Sequence, residues 1–434
     1  MKHFCVTLAL LLGLPAAGQN SPMFRGNPQH PGIYSGAGVP NFSRIKWKFQ
    51  THGAVVSSPA VADGVAYVGS NDHNLYAVDL ASGTLKWKFK TGSHVASSPA
   101  VADGVVYVGS YDDNFYAVDA ATGKLKWRFK TAGEHRFTAT HLHGTQPVAE
   151  AMPDPFDCYL SSPSIWQGTV YFGSGDGNIY ALDAASGVLK WKFKTGDVVH
   201  SSPTIAGGIL FIGSWDSYFY ALDATTGKEK WRFKTGEDPD MHNQVGIQAS
   251  AVVADGIVYF GCRDSNFYAV DAGTGQKRWA FSNKGSWVIG SAVVQDGKVY
   301  FATSDSALLH ALDAKSGVEI FSLDFKKWPL FSSPAIAGGM LYVGSDSGKL
   351  FAIDLKTQKQ AWEFQSDGAR QNGPSLTKPD GTPNYEAAFT DDFYDNMVAG
   401  VEKMLSVGAI LSSPVVVDGV IYVGSTDGNL YALM

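Results

Sequence analysis

The chain is built from one short unit written many times over. SSPAVADGVAYVGSNDHNLYAVDLASGTLKWKFKTG begins at Ser57 and SSPAVADGVVYVGSYDDNFYAVDAATGKLKWRFKTA at Ser97, and the serine-led unit returns at Ser161, Ser201, Ser250, Ser291, Ser332 and Ser412. Within each unit, apolar residues alternate with polar ones, and Asp-Gly, Thr-Gly or Ser-Gly pairs break the runs. That pattern predicts four short strands joined by hairpins, and a recurrence about every 40 residues is the signature of a propeller blade. Helical periodicity is weak almost everywhere.

Two markers count the blades. The glycine of the second strand recurs as Gly69, Gly109, Gly173, Gly213, Gly261, Gly344 and Gly424, with Ala302 in the eighth slot. The fourth strand carries Trp47, Trp87, Trp127, Trp191, Trp231, Trp279 and Trp362, with Phe321 in the remaining slot. The last unit stops at Tyr431–Met434 before any tryptophan strand, whereas Ile45–Phe49 supplies one too many at the start. The expected fold is therefore all-β: an eight-bladed β-propeller of four-stranded antiparallel blades, its ring closed by the N-terminal strand. Residues 45–434 form that single domain.

Composition agrees and excludes several functions. Of 434 residues, 45 % are hydrophobic and 17 % charged, which suits a large folded core rather than a disordered chain. A net charge of −6 disfavours nucleic acid and anionic membrane surfaces. Residues 1–18 pair a basic start with an apolar run from Val6 to Leu14 and small residues before Gln19, as a cleaved signal peptide does. Residues 19–44 are an N-terminal extension. Cys5 precedes the apolar run, so no lipid anchor is expected, and no later stretch reaches the ~18 apolar residues of a spanning helix. A periplasmic or secreted monomer without membrane insertion follows, with Cys158 and Cys262 as its thiols and a bond between them conceivable.

The string Ala-x-Asp-x-x-(Thr/Ser)-Gly-x-x-x-Trp is complete in five copies, the first Ala77-Asp79-Gly83-Trp87 and the fifth Ala269-Asp271-Gly275-Trp279. It resembles the tryptophan-docking repeat of the PQQ-type (pyrroloquinoline-quinone) β-propellers, and the likeness covers nearly all of the mature chain. Phe24-Arg25-Gly26-Asn27-Pro28 also resembles the N-terminal signature of exported members. The resemblance implies that each tryptophan wedges between blades. Phe321 departs from it, as does Thr357-Gln358 in place of the glycine turn before Trp362. It further implies either a non-catalytic scaffold of the BamB type or a dehydrogenase holding the quinone against calcium, often beneath a disulfide of adjacent cysteines. No Cys-Cys pair and no Cys-x-x-Cys-His haem site is present.

Three insertions interrupt the repeat, near residues 131–159, 236–248 and 365–409. Each lies between a fourth strand and the next first strand, so all three are expected at one mouth of the channel, where sites are usually built. Tyr385, Phe389, Phe393 and Tyr394 add aromatic surface there. Candidate ligand-binding residues at that mouth are Arg263, Asp264, Trp215, Trp287, Arg370 and Asn372. A guanidinium can fork onto a carboxylate, and indoles outside the docking position can stack a planar ligand.

One carboxylate per blade (Asp72, Asp112, Asp176, Asp216, Asp264, Asp305, Asp346 and Asp427) is first of all a turn residue. His141 and His143 have spacing that could chelate a metal, without a third ligand at fixed spacing. His94 and His200 precede first strands and are expected to line the mouth. The function expected first is a non-catalytic binding or scaffold protein for a protein partner or a small-molecule ligand. The alternative is a PQQ- and calcium-dependent oxidoreductase of the alcohol or sugar dehydrogenase type, with Asp264 or Asp305 as base and Arg263 or Arg370 near the quinone oxygens.

Overall fold

Strands form where the alternation predicts them, and a computed structural model describes them over residues 20–236 and 245–434. The expected leader and the centre of the second insertion (237–244) lie outside the described residues. The first blade pairs Ala60–Ala62, Val65–Ser70, Asn74–Asp79 and Leu85–Lys90 in sequential antiparallel order, and the same order recurs in all eight blades. The second strand of the first blade is buried at every residue because neighbouring blades cover both its faces. The outermost strand alternates, with Trp87 and Phe89 half-buried and the lysines outward.

Ring closure follows the expected phase. Ile45–Gln50 pairs antiparallel with Asn429–Leu433, aligning Trp47 with Ala432 and Phe49 with Leu430. Two α-helices were not expected: α1 (Asp367–Leu376) and α2 (Tyr394–Leu405), both inside the third insertion. Glycine and proline within α1 mask its helical pattern; Ser366 caps it by accepting the Ala369 N–H at 3.0 Å.

Every docking tryptophan except Trp362 is fixed twice. Its indole N–H donates to a carbonyl of the next blade: Trp87 to Ala120 at 2.9 Å, Trp191 to Ala224 at 3.0 Å and Trp279 to Ala314 at 3.1 Å. Its ring also lies on the turn glycine of that next blade. A Cβ on Gly123 would come within 2.8 Å of Trp87, and one on Gly317 within 2.6 Å of Trp279. Those glycines also have φ near +70° (71° and 70°), so conformation and contact exclude other residues together. The two departures from the repeat therefore coincide in register. Phe321 replaces tryptophan in blade 6, which is followed by the one blade whose turn has Gln358, at φ 57°, in place of glycine. At the closing joint, Trp362 donates to Val39 of the N-terminal extension at 2.9 Å, because blade 8 has no such turn.

The channel is filled from both ends. One serine per blade faces it, and most hydroxyls accept the backbone N–H of the preceding blade's serine, as Ser98 does from Ser58 at 2.9 Å. The serines, with Phe24 and Tyr159, enclose a cavity of only about 40 Å³. Residues 21–34 seal the end opposite the insertions. Ser21 pairs with Val61, Ile33–Tyr34 adds a parallel strand to Ala335–Ala337, and the buried Arg25 donates to Pro334 and Ala292 carbonyls at 2.9 and 2.5 Å. His30, fully buried, bridges Ser164 and Thr204, each at 3.0 Å.

Burial, reinforced by the charge of Arg25, lowers the pKa of His30 to about 3. The unfolded chain protonates this residue near pH 6.5, so its contribution to stability is present above that value and is lost as pH falls toward 3. In denaturant unfolding across that window, His30→Asn should show a shallower loss of stability on acidification. At neutral pH it should cost about 1–2 kcal/mol for the lost hydrogen bonds.

Candidate functional site

The turn carboxylates divide into two groups. In six blades the aspartate completes its own turn, accepting the N–H two residues on and the hydroxyl of a tyrosine four residues on. Asp72 takes Asn74 N–H at 3.1 Å and Tyr76 at 2.7 Å, and Asp264 takes Asn266 N–H at 3.0 Å and the Tyr268 hydroxyl. A backbone N–H from the loop above adds a third bond, from His52 to Asp72 and from Gly236 to Asp264. These are structural clamps, and Asp264 is one of them, buried. Asp305 and Asp346 are not. Leu309 and Leu350 stand where the tyrosine would be four residues on. Backbone register places Asp346 one residue ahead of the clamp position. Its N–H donates to Pro329 just as those of Asn71, Tyr111, Trp215 and Arg263 donate to the loop before each first strand. That position, one residue before the clamp, faces the mouth and differs from blade to blade.

Arg263 occupies it in blade 5 and is 1 % exposed. Its guanidinium carbon lies 4.3 Å from the Trp215 ring and 4.5 Å from the Trp287 ring, so the two indoles enclose it. Nη1 donates to Asp154 at 2.6 Å and Nη2 to Gln248 at 2.9 Å. Burial would raise Asp154, but Arg263 and His143 overcome it and hold the carboxyl far below its ordinary range. Trp215 is buried against Phe137, 4.5 Å between ring centres.

The first insertion is pinned by ion pairs. His200, fully buried, contacts Asp157 at 2.7 Å through Nδ1 and Glu134 at 2.8 Å through Nε2. Desolvation opposes its charge, yet the two carboxylates push its pKa up to about 10. His143 contacts Asp154 at 3.2 Å, whereas His141 is exposed, and among the described residues no three His, Cys, Asp or Glu side chains converge to hold a cation. Cys158 and Cys262 are free. Cys262 takes the place of the serine that precedes the mouth position in other blades, donating to Gly246 at 3.3 Å as Ser214 does to Val198 at 3.2 Å. Burial pushes the Cys158 thiol up to about 12, which leaves it unreactive.

The first and third insertions interlock. Gln146 N–H donates to Asp392 at 2.8 Å, Tyr394 N–H to Gln146 at 3.0 Å and the Tyr394 hydroxyl to Pro153 at 2.6 Å. Between them, over blades 6 to 8, lies a cavity of about 220 Å³. Phe331 and Leu411 form its floor, Val401, Met404 and Leu405 of α2 its roof, and Phe156, Trp287, Trp328 and Phe389 its walls. Its polar groups are Asp305, Asp346, His143, Cys158 and Tyr385. Asp305 keeps solvent contact through the opening, and the protein packed around it raises its carboxyl above the usual range. Asp346, 9 % exposed, is raised much further by burial and by Asp305. Arg370 and Asn372 lie outside this cavity on α1, exposed, bonded to Asp367 at 3.0 Å and to the Ser406 carbonyl at 2.6 Å.

Of the mouth residues expected from sequence, Trp287 and Asp305 meet in the cavity; Arg263 stacks between Trp287 and Trp215, neither it nor Trp215 lining the space, and Asp264 is held in its own turn. Asp346, expected as a turn residue, stands instead at the mouth position, and Trp328 was not among the expected site residues. Ser347 and Phe351 in place of the clamp aspartate and its tyrosine, and a tryptophan outside the docking slot, were the available signals.

A quinone held on calcium needs an open aromatic slot, a guanidinium free for its oxygens, and ionised carboxylates converging on the metal. Here Arg263 itself fills the slot between Trp215 and Trp287, its terminal nitrogens are engaged, and among the described residues no third His, Cys, Asp or Glu side chain converges on Asp305 and Asp346. The residues present do not fit that cofactor. Because Asp154 is buried and paired with Arg263, Arg263→Ala should cost about 3–5 kcal/mol in equilibrium unfolding. A cost below about 1 kcal/mol would show that the pair does not hold the first insertion.

Comparison with known proteins completes the picture. No curated protein sequence matches the chain. In three dimensions it is similar to BamB from Moraxella catarrhalis, at 15 % identity and TM-score 0.65, over 90 % of this chain and 99 % of that one. It is also similar to quinohemoprotein alcohol dehydrogenase from Comamonas testosteroni, at 16 % identity and TM-score 0.68, covering 95 % and 80 %. A europium-containing methanol dehydrogenase aligns at 16 % identity and TM-score 0.67, covering 95 % and 98 %. At such identities these likenesses show the shared propeller fold. A sequence model described as outer membrane protein assembly factor BamB matches residues 42–152, 159–285 and 263–433, and with nearly the whole propeller accounted for, the chain belongs to that family of PQQ-like β-propellers.

Proposed function

We propose that this protein is an exported, non-catalytic binding protein whose ligand enters the cavity beneath the interlocked insertions. The observation that carries this reading is the cavity itself. The insertions are fastened to the scaffold by buried ion pairs, yet they leave an apolar space with two unclamped carboxyls, one of them, Asp346, at the most variable position of the blades. Loops that only covered a channel mouth would have no reason to keep such a space unfilled. The family's description as an assembly factor supports a binding role over a catalytic one. The dehydrogenase likeness favours a redox role only at the level of the fold. Among the described residues no helix is long and apolar enough to cross a membrane. Residues 1–18 have the make-up of an export signal, so the chain recovered from a periplasmic extract should begin at Gln19 on N-terminal sequencing.

Titration of the mature protein with PQQ, with and without calcium chloride, separates the binding and redox readings. No saturable binding at tens of micromolar is expected. One-to-one binding that calcium strengthens would reverse the assignment. One-ring organic probes such as benzyl alcohol should raise the thermal midpoint of the wild type but not of Leu405→Trp, whose indole fills the roof of the cavity.

A further inference from the structure

Acids and aromatic rings share the mouth cavity, and His143, the basic side chain among the lining residues, is paired with Asp154. Asp305 and Asp346 line it, six aromatic rings surround them (Phe156, Trp287, Trp328, Phe331, Tyr385 and Phe389), and neither lysine nor arginine is among the lining residues. Arg263, which acts on Asp305, is engaged elsewhere, bound by Asp154 and Gln248. Asp346 is 9 % exposed, and its Oδ1 is buried without a hydrogen-bond partner. Leaving a buried carboxyl oxygen unmatched costs free energy. Six other blades place an aspartate one residue later, where a tyrosine hydroxyl satisfies it; blade 7 has Ser347 at that position and Phe351 in place of the tyrosine, so no such hydroxyl is available to Asp346. The protein thus leaves this acid for something that enters from outside.

We propose that the cavity binds a small organic ammonium ion, with Asp346 and Asp305 as its counter-charge and the surrounding rings as a cation–π cage. The proposal rests on the mouth being a ligand site and adds the class of ligand. A cation over an aromatic face gains attraction that a neutral ligand lacks, and more so where water is excluded. An anion would meet two carboxyls. A bare divalent ion would find too few oxygens, since no third carboxylate, cysteine or histidine converges on these two among the described residues. At about 220 Å³ the space is below the ~300–1,000 Å³ of drug-sized pockets and suits a ligand of one ring.

The groups that face Asp346 are Asp305, Cys158, Tyr159 and Tyr385, with His143 and Arg263 acting on Asp305. In this company an empty cavity favours Asp346 as the neutral acid, so a bound cation expels a proton and its affinity rises with pH.

Isothermal titration of the mature protein with benzyltrimethylammonium, whose charge does not titrate, tests this against benzyl alcohol and calcium chloride. The ammonium ion should bind one to one and at least about tenfold tighter than the alcohol. Its heat should depend on the ionisation enthalpy of the buffer, as proton release requires. Asp346→Asn should erase the preference while leaving alcohol binding and thermal stability at least as high. Asp305→Asn and Tyr385→Leu, at solvent-exposed positions, should each weaken the ammonium ion several-fold and serve if Asp346→Asn does not fold. Equal affinity for alcohol and ammonium would overturn the ammonium assignment and leave the mouth as a ligand site. Absence of binding by either would overturn both. Calcium binding that displaces the ammonium ion would overturn it in favour of a metal.

Discussion

The contact between an indole and a glycine of the next blade sets the geometry of everything else. It is short enough that a single Cβ would break it, and a hydrogen bond from the indole N–H to a fixed carbonyl locks its direction. Blade spacing, the angle between blades and the width of the channel follow from repeating that joint around the ring. Where tryptophan gives way to Phe321, the glycine of the following blade gives way too, so the joint varies as a pair rather than residue by residue. The side chains at the mouth inherit their positions from it, which is why a cavity can be built there from loops.

The mouth shows how a repeat protein acquires individuality. The clamp aspartate and its tyrosine are spent on turn structure in six blades, so they carry no specificity. The residue just before the clamp is free to change, and it supplies Tyr111, Trp215, Arg263 and Asp346 in different blades. Arg263 illustrates the consequence. A guanidinium at the mouth invites an assignment to ligand binding, but enclosed by two indoles and paired with Asp154 it acts as the pin that joins the first insertion to blade 5. The acids that remain unpinned are those facing the cavity.

The sequence made the strands, the blade count and the closing strand plain because each depends on local alternation and on a tryptophan that recurs in register. The plug was legible only as an extension, since Arg25 and His30 find their partners more than a hundred residues away. Helix α1 was hidden because Gly368, Gly373 and Pro374 give it little intrinsic propensity; its cap and the packing of Leu376 hold it. Helix α2 buries Gly400, Val401 and Met404 at helical spacing, a pattern too brief to stand out among strands. The cavity could not be read at all, because it depends on the hydrogen bonds that join residues 146 and 153 to residues 392 and 394.

Closure by the N-terminal strand has a consequence for how the molecule comes apart. An open row of repeats contacts only its neighbours and can fray from either end. Here Ile45–Gln50 belongs to the last blade, and the plug touches blades 1, 3, 4, 6 and 7 through Val61, Ser164, Thr204, Ala292 and Pro334. No blade can leave without opening the seam or withdrawing the plug, so the array has no end from which to unzip. A structure assembled from nearest-neighbour units thereby gains the all-or-none character of a single small domain, and the rupture of one six-residue strand is the event that would release it.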